Sequence, residues 1–425
     1  MKVITSDDNI NSFGGLNFIS NEFDSLGLPQ LITSHLGLRS KLATYEYHDI
    51  IKNSWMILFA GGDCAEDIQT NLKSELSNVL NMKICSADTI LRLQKSLKSG
   101  KEVHLSKKKT INEFSKNDVL NRLNMSILLQ TKQLEPNKKY DLDFDNQFIA
   151  CDKYDAKKSY KMKHGYFPGV ATIGKNIIHL ENRNGNSNVK FKQEETLEEV
   201  YKLLNDNGIK INRSRMDCGS FTKEVIKTVE KNSDSFFIRA QRCGELTNQI
   251  HATSNWTKVT IGFKEVEVAS IQYQPFGEEK KYRYVVSREA NKNGQIDIFQ
   301  QDNFIYRAII TNEGLMSDKD VIEFYNQRGA SEKIFDEMNN DFGWGSLPFS
   351  FLEENAVYML ITAMCRNFYL HILGKIAKKV PFVDSTFRLK KFIYRFVVVP
   401  YKWIKKGGQK TLKLFTDRPY HLVLE

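Results

Sequence analysis

Hydrophobic positions recur along this chain with two different periods, and the change between them divides it. Up to about residue 135 the spacing is helical. Leu16, Phe18, Ile19, Phe23 and Leu26 form one amphipathic run, and Ile50, Ile51, Trp55, Ile57 and Leu58 form another. Gly61-Gly62-Asp63 ends the second run, and Ser86 stands ahead of Ile90, Leu91 and Leu93 as the cap of a third. From Lys138 the period shortens. Tyr140–Ile149 alternates as a strand, Tyr166–Ile173 is a second and Asn176–Leu180 a third. A helix over Glu194–Asn205 gathers Leu197, Val200, Leu203 and Leu204 on one face. A strand at Ile209–Met216, a helix at Thr222–Lys231 and a strand at Ser235–Ala240 follow. Strands interleaved with helices predict a mixed sheet covered on both faces.

The stretch from about 242 to 301 breaks this order. Val259–Phe263, Val266–Ile271, Tyr282–Val286 and Ile296–Phe299 alternate as β-segments, and Asn293-Gly294 reads as a hairpin turn, so an antiparallel insertion is expected here. The α/β order resumes with a strand at Phe304–Thr311. A helix capped by Ser317 then carries Val321, Ile322, Phe324, Tyr325, Ile334, Phe335 and Met338 at helical spacing. Beyond Phe349 the chain reads as helical again, over Val357–Leu373, and closes on a basic segment with Arg388, Lys390, Lys391, Arg395 and Lys402. The fold expected is α/β, a mixed sheet with an antiparallel β insertion and helical flanks. Its parts are residues 1–135, 136–345 and 346–425.

Composition narrows the function. At 425 residues the chain has room for a substantial core. Lys and Arg number 61 against 51 Asp and Glu, a formal net charge of +10 that favours a polyanionic partner. The six cysteines are scattered without a C-x-x-C pair, which reads as reduced thiols in a cytoplasmic protein. No apolar signal segment opens the chain, and its apolar runs are short for a bilayer span, so no membrane partner is expected. Arg92, Lys95 and Lys98 decorate the Ser86-capped helix, as in a helix-turn-helix reader or in an ordinary surface helix.

Acids carry the candidate chemistry. Asp141, Asp143 and Asp145 share one face of the first strand, with Leu142 and Phe144 on the other. Carboxylates so placed repel unless solvent or a cation neutralises them. Asp217 ends the strand Ile209–Met216 before Cys218-Gly219, where open α/β sheets place their chemistry. Tyr325, Arg328 and Glu332 step by three and four along one helix face, joining a phosphate-gripping guanidinium to a carboxylate. This is the sheet order and acid placement of an RNase H-like fold.

With Asp141-Leu142-Asp143, Arg215-Met216-Asp217-Cys218-Gly219 and Tyr325-x2-Arg328-x3-Glu332, the chain resembles the DDE transposases of bacterial insertion sequences that carry a β-strand insertion before the final Glu. The resemblance implies that Asp143, Asp217 and Glu332 are catalytic and hold two Mg²⁺ ions, with Mn²⁺ able to substitute. Asp141 and Asp145 remain alternatives for the first-strand ligand. It implies that Tyr325 and Arg328 contact DNA phosphates, with Lys333 in place of the lysine for which Asn339 stands here. It implies that Trp256, in the insertion, stacks on a base. The partners implied are double-stranded DNA, both terminal inverted repeats and target, bound by a homodimer in a synaptic complex.

Overall fold

The computed structural model describes residues 1, 3–4, 8–106, 109–277, 279–291 and 304–424. Three of the N-terminal helices lie where the apolar spacing puts them, and a helix over Leu28–Leu36, not read from the sequence, joins them. α1 (Leu16–Ser25) buries Leu16, Ile19 and Phe23, and α2 (Leu28–Leu36) buries Leu28 and Ile32. A reciprocal cap between Glu46 and Asp49 starts α3 (Tyr47–Phe59). The Ser86 hydroxyl caps α4 (Ala87–Ser96) by accepting from the Thr89 N–H at 3.2 Å. A hairpin that the helical reading did not anticipate follows, β1 (Lys101–Leu105) and β2 (Ile111–Lys116). Most of β1 is exposed, so little apolar alternation marked it. α5 (Asp118–Gln130) completes this part.

The alternating segments then assemble. β3 (Lys139–Asn146), β4 (Gly169–Ile173) and β5 (Asn176–Arg183) form an antiparallel meander. α6 (Gln193–Asp206) leads to β6 (Lys210–Met216), which lies parallel to β3 on its free side. α7 (Lys223–Asn232) leads to β7 (Ser233–Arg239), parallel to β6. The even-numbered residues Leu142 and Phe144 pack against Leu197, Val200, Leu204, Val225 and Val229 of the two helices, so the odd-numbered acids face the opposite side. This is the mixed sheet of an RNase H-like fold, between helical flanks.

The insertion opens with α8 (Gly244–His251), a helix absent from the strand-rich reading. Its strands β8 (Thr257–Ile261), β9 (Lys264–Tyr273) and β10 (Tyr282–Ala290) join the main sheet through β11 (Phe304–Thr311). The result is one eleven-stranded sheet, ordered β1-β2-β5-β4-β3-β6-β7-β11-β10-β9-β8. The Asn293-Gly294 turn and the 296–299 strand expected from sequence lie outside the described residues.

The Tyr/Arg/Glu segment, expected as one helix, is two. Ser317 caps α9 (Asp318–Asn326), a tighter turn occupies Gln327–Gly329, and α10 (Ala330–Asp341) follows. α11 (Leu352–Ala377) is longer than its apolar run suggested. By length and composition it is apolar enough to cross a membrane, yet 83% of its most apolar window is buried in the fold. Phe368 of α11 stacks on Trp55 of α3 with ring centroids 5.3 Å apart, and the Trp55 indole donates to the Ile361 carbonyl at 3.0 Å. The N- and C-terminal helices therefore share one core. The basic end is not all helical: Tyr401–Lys406 and Gln409–Leu414 form a hairpin. Gly407 and Gly408 turn it, with φ of 57° and 80°, the left-handed pair that a two-residue hairpin loop requires.

Candidate active site

Two parallel strands with the same polar period set the site. Asp141 lies opposite Arg213 and Asp143 opposite Arg215, so the alternation in β3 meets the alternation in β6 on a single face. Arg213 forks onto Asp141 with bonds of 2.9 and 2.6 Å. Arg215 forks onto Asp143 with two bonds of 2.7 Å. Each row across the strands is thus neutral. Continuing the register one residue past Phe144 and Met216 brings Asp145 beside Asp217, and in that row both groups are acids.

The missing cation comes from the Tyr/Arg/Glu segment. Arg328 donates to the Asp145 carboxylate at 2.6 Å. Even so, burial and the nearby Asp217 push the Asp145 carboxyl up to about 6, against the pull of Arg328. Asp217 accepts from the Gly219 N–H at 2.9 Å, which caps the short turn Cys218–Ser220 and orients its carboxylate. The two neutral rows hold α9 in place. Arg215 donates to the Phe324 carbonyl at 2.9 Å, and the guanidinium groups of Arg213 and Arg215 lie 3.9 and 4.5 Å from the Phe324 ring. Tyr325, next along α9, is buried beside Arg328. A cleft of about 440 Å³ opens next to Asp217, lined by Arg239, Arg242, Tyr306, Arg307, Tyr325 and Arg328.

The residues expected from sequence are distributed unevenly around this centre. Asp217, Tyr325 and Arg328 meet at it. Asp143 does not open into it: its side chain is buried and both oxygens are held by Arg215. Glu332 and Lys333 are exposed on the first turn of α10, one helical turn beyond Arg328. Among the described residues no group of three ligand atoms within 4.8 Å includes Asp143, Asp217 or Glu332. A group that meets that distance is Asp63, Cys64 and Asp67, an acidic and thiol cluster that could hold a metal ion. There Asp67 accepts from the N–H groups of Asp63 and Cys64 and from Asn71, at 2.9, 3.3 and 2.7 Å. Trp256 is half-buried, with Arg288 4.1 Å from its ring centre. On α4, Arg92 pairs with Asp88 at 2.7 Å, Lys95 lies over Phe349 and Lys98 bonds to Glu354 at 3.3 Å.

Over residues 1–424 the chain matches the family model described as Transposase DDE domain group 1. The chain belongs to this family. Its sheet order, β5-β4-β3-β6-β7, supplies the RNase H-like catalytic core of a DDE transposase domain. Seven chains of solved structures match it. One is described as a cryo-EM structure of the piggyBac transposase synaptic complex with hairpin DNA. It is 11% identical, with 90% of this chain and 78% of that chain covered, at a TM-score of 0.45. No curated protein matches the chain. What the sequence reading missed was the pairing of Asp145 with Asp217 and the cationic cleft beyond it. The signal was present as Asp-x-Asp-x-Asp against Arg-x-Arg-x-Asp.

Proposed function

We propose that this chain is a transposase that cleaves DNA at the ends of a mobile element and joins those ends to target DNA. In this reading Asp145 and Asp217 hold the divalent cation, and Glu332 completes the set from the next turn of the Tyr/Arg/Glu segment. Asp143 keeps the structural role its pairing describes. The observation that carries the reading is Asp145 close to Asp217 just past the last pair of the β3–β6 ladder, beside a cleft rich in arginine. Hard carboxylate oxygens suit Mg²⁺, or Mn²⁺ in its place. When bound, a pair of such ions supplies an activated oxygen nucleophile and charge stabilisation for the leaving oxygen.

The chemistry is two displacements at phosphorus. Water bonds to phosphorus and the P–O3′ bond breaks, leaving a 5′-phosphate and a free 3′-hydroxyl on the element. That hydroxyl then attacks a target phosphodiester and releases a target 3′-hydroxyl. Arg328, which donates to Asp145 at 2.6 Å, would lie within the same site to bind a phosphate oxygen once Asp145 held a cation. Both ends must be held together, so the working form in this reading is a homodimer on terminal inverted repeats, in the cytoplasm of the host cell.

The test uses duplex DNA carrying the element's own ends. Mg²⁺-dependent cleavage and transfer of a labelled 3′ end to plasmid are expected. Asp145→Asn, Asp217→Asn and Glu332→Gln should each abolish cleavage by at least about a hundredfold while retaining DNA binding. Cleavage without end joining would identify a nuclease of the same fold. Wild-type-like cleavage in two of these variants would refute the site.

A further inference from the structure

Among the described residues, Arg239 is a half-buried cation on this face without a carboxylate partner. β7 pairs with β6 so that Phe237 lies opposite Arg215, and one row further on Arg239 falls beside Asp217. Nearby arginines have carboxylate partners: Arg213 with Asp141, Arg215 with Asp143, Arg328 with Asp145, Arg283 with Asp318 and Arg288 with Glu267. Arg239 is half-buried, and its side chain has no hydrogen-bond or ion-pair partner among the described residues. Burial lowers its pKa, and Arg307 and Arg242 lower it further, against the pull of Tyr325. Arg242 donates to the Tyr306 carbonyl at 3.1 Å, and Arg307 pairs with Glu289. Both stand exposed on the same cleft as Arg239 and Asp217.

A partly desolvated guanidinium among like charges is costly unless an anion completes it. Guanidinium forks match phosphate oxygens in geometry as well as charge. We infer that Arg239, with Arg242 and Arg307 at the rim, seats a backbone phosphate of the DNA strand lying across Asp217. This rests on the transposase reading, and it gives that reading a substrate contact distinct from Tyr325 and Arg328. The role needs no bound metal ion, and it costs Arg239 no existing ion pair.

The experiment measures binding of the full chain to a short mixed-sequence duplex in EDTA, across a range of salt concentrations. Each phosphate contact contributes a slope of about −0.9 to log Kobs against log salt. Arg239→Gln is expected to reduce the slope by about 1 and to weaken binding to all sequences alike, with Arg239→Lys restoring most of the slope. Arg242→Gln and Arg307→Gln, at exposed positions that cannot disturb the core, carry the same expectation in smaller measure. Lys202→Gln, on an exposed part of α6, should change nothing. A slope unaltered in Arg239→Gln and in both rim variants overturns the inference while leaving the transposase reading standing. Failure of the unaltered chain to bind any duplex overturns both.

Discussion

Asp143 and Asp145 are two residues apart on one strand and share a face, yet they live in different electrostatic worlds. Asp143 has its own arginine across the ladder; Asp145 has an acid there and borrows a cation from another element. A buried pair such as Asp143 and Arg215 is fragile to single replacement, because the survivor is left charged without a partner. Asp143→Leu should therefore lower unfolding free energy by roughly 3–5 kcal/mol, and the double variant Asp143→Leu with Arg215→Met should recover much of that loss. Urea unfolding of the four proteins closes the cycle. His179 makes a second residue-level prediction. It is fully buried on β5, and burial holds its pKa down to about 4 from an ordinary 6.5. The unfolded chain takes up that proton first, so stability falls as pH drops from about 6.5 toward 4, by roughly 1.4 kcal/mol per pH unit within the window. His179→Leu should remove that component from a pH series of melts.

At the scale of elements, α9 is the piece whose position matters, and one aromatic ring holds it. Phe324 lies under Arg213 and Arg215 and against Phe237, with centroids 4.8 Å apart. Phe324→Ala should cost about 3–5 kcal/mol in stability. It should also reduce Mg²⁺-dependent cleavage more than DNA binding, since Tyr325 and Arg328 follow on the same segment. Thermal melts together with cleavage assays read both effects. Most elements were legible in the sequence because long apolar periods survive tertiary packing. β11 was bounded as read, and the Ser86 and Ser317 caps fell where polar residues preceded apolar runs. The elements missed are those with weak alternation: the exposed hairpin β1–β2, the short α8 and the C-terminal hairpin. The site was half legible. Period two told which acids share a face, but which acid meets which partner depends on strand register, and a period alone does not determine register.

Across the whole molecule, the helical ends brace the catalytic sheet. β2 pairs with β5 only from Glu181 to Arg183, which leaves the start of β5 without a strand neighbour on that side. Side-chain amides take the strand's place. Asn121 of α5 bonds both the N–H and the carbonyl of Leu180 at 3.0 Å. Asn367 of α11 does the same for Ile177, at 3.1 and 2.7 Å. Buried backbone groups are rarely left unpaired, and here both ends of the chain satisfy them. Arg366 adds a further tie, joining Glu337 of α10 at 2.7 Å to the Lys175 carbonyl at 2.6 Å. The braced sheet presents one face with two neutral rows and, just past them, Asp145 near Asp217, the two acids proposed to take up the cation. Titration of Mn²⁺ into the full chain by calorimetry, with Asp145→Asn and Asp143→Asn compared side by side, tests this most directly. Asp145→Asn is expected to lose Mn²⁺ uptake, whereas Asp143→Asn is expected to retain it at temperatures where it is folded. Retained uptake in Asp145→Asn, with loss in a folded Asp143→Asn, would contradict this assignment.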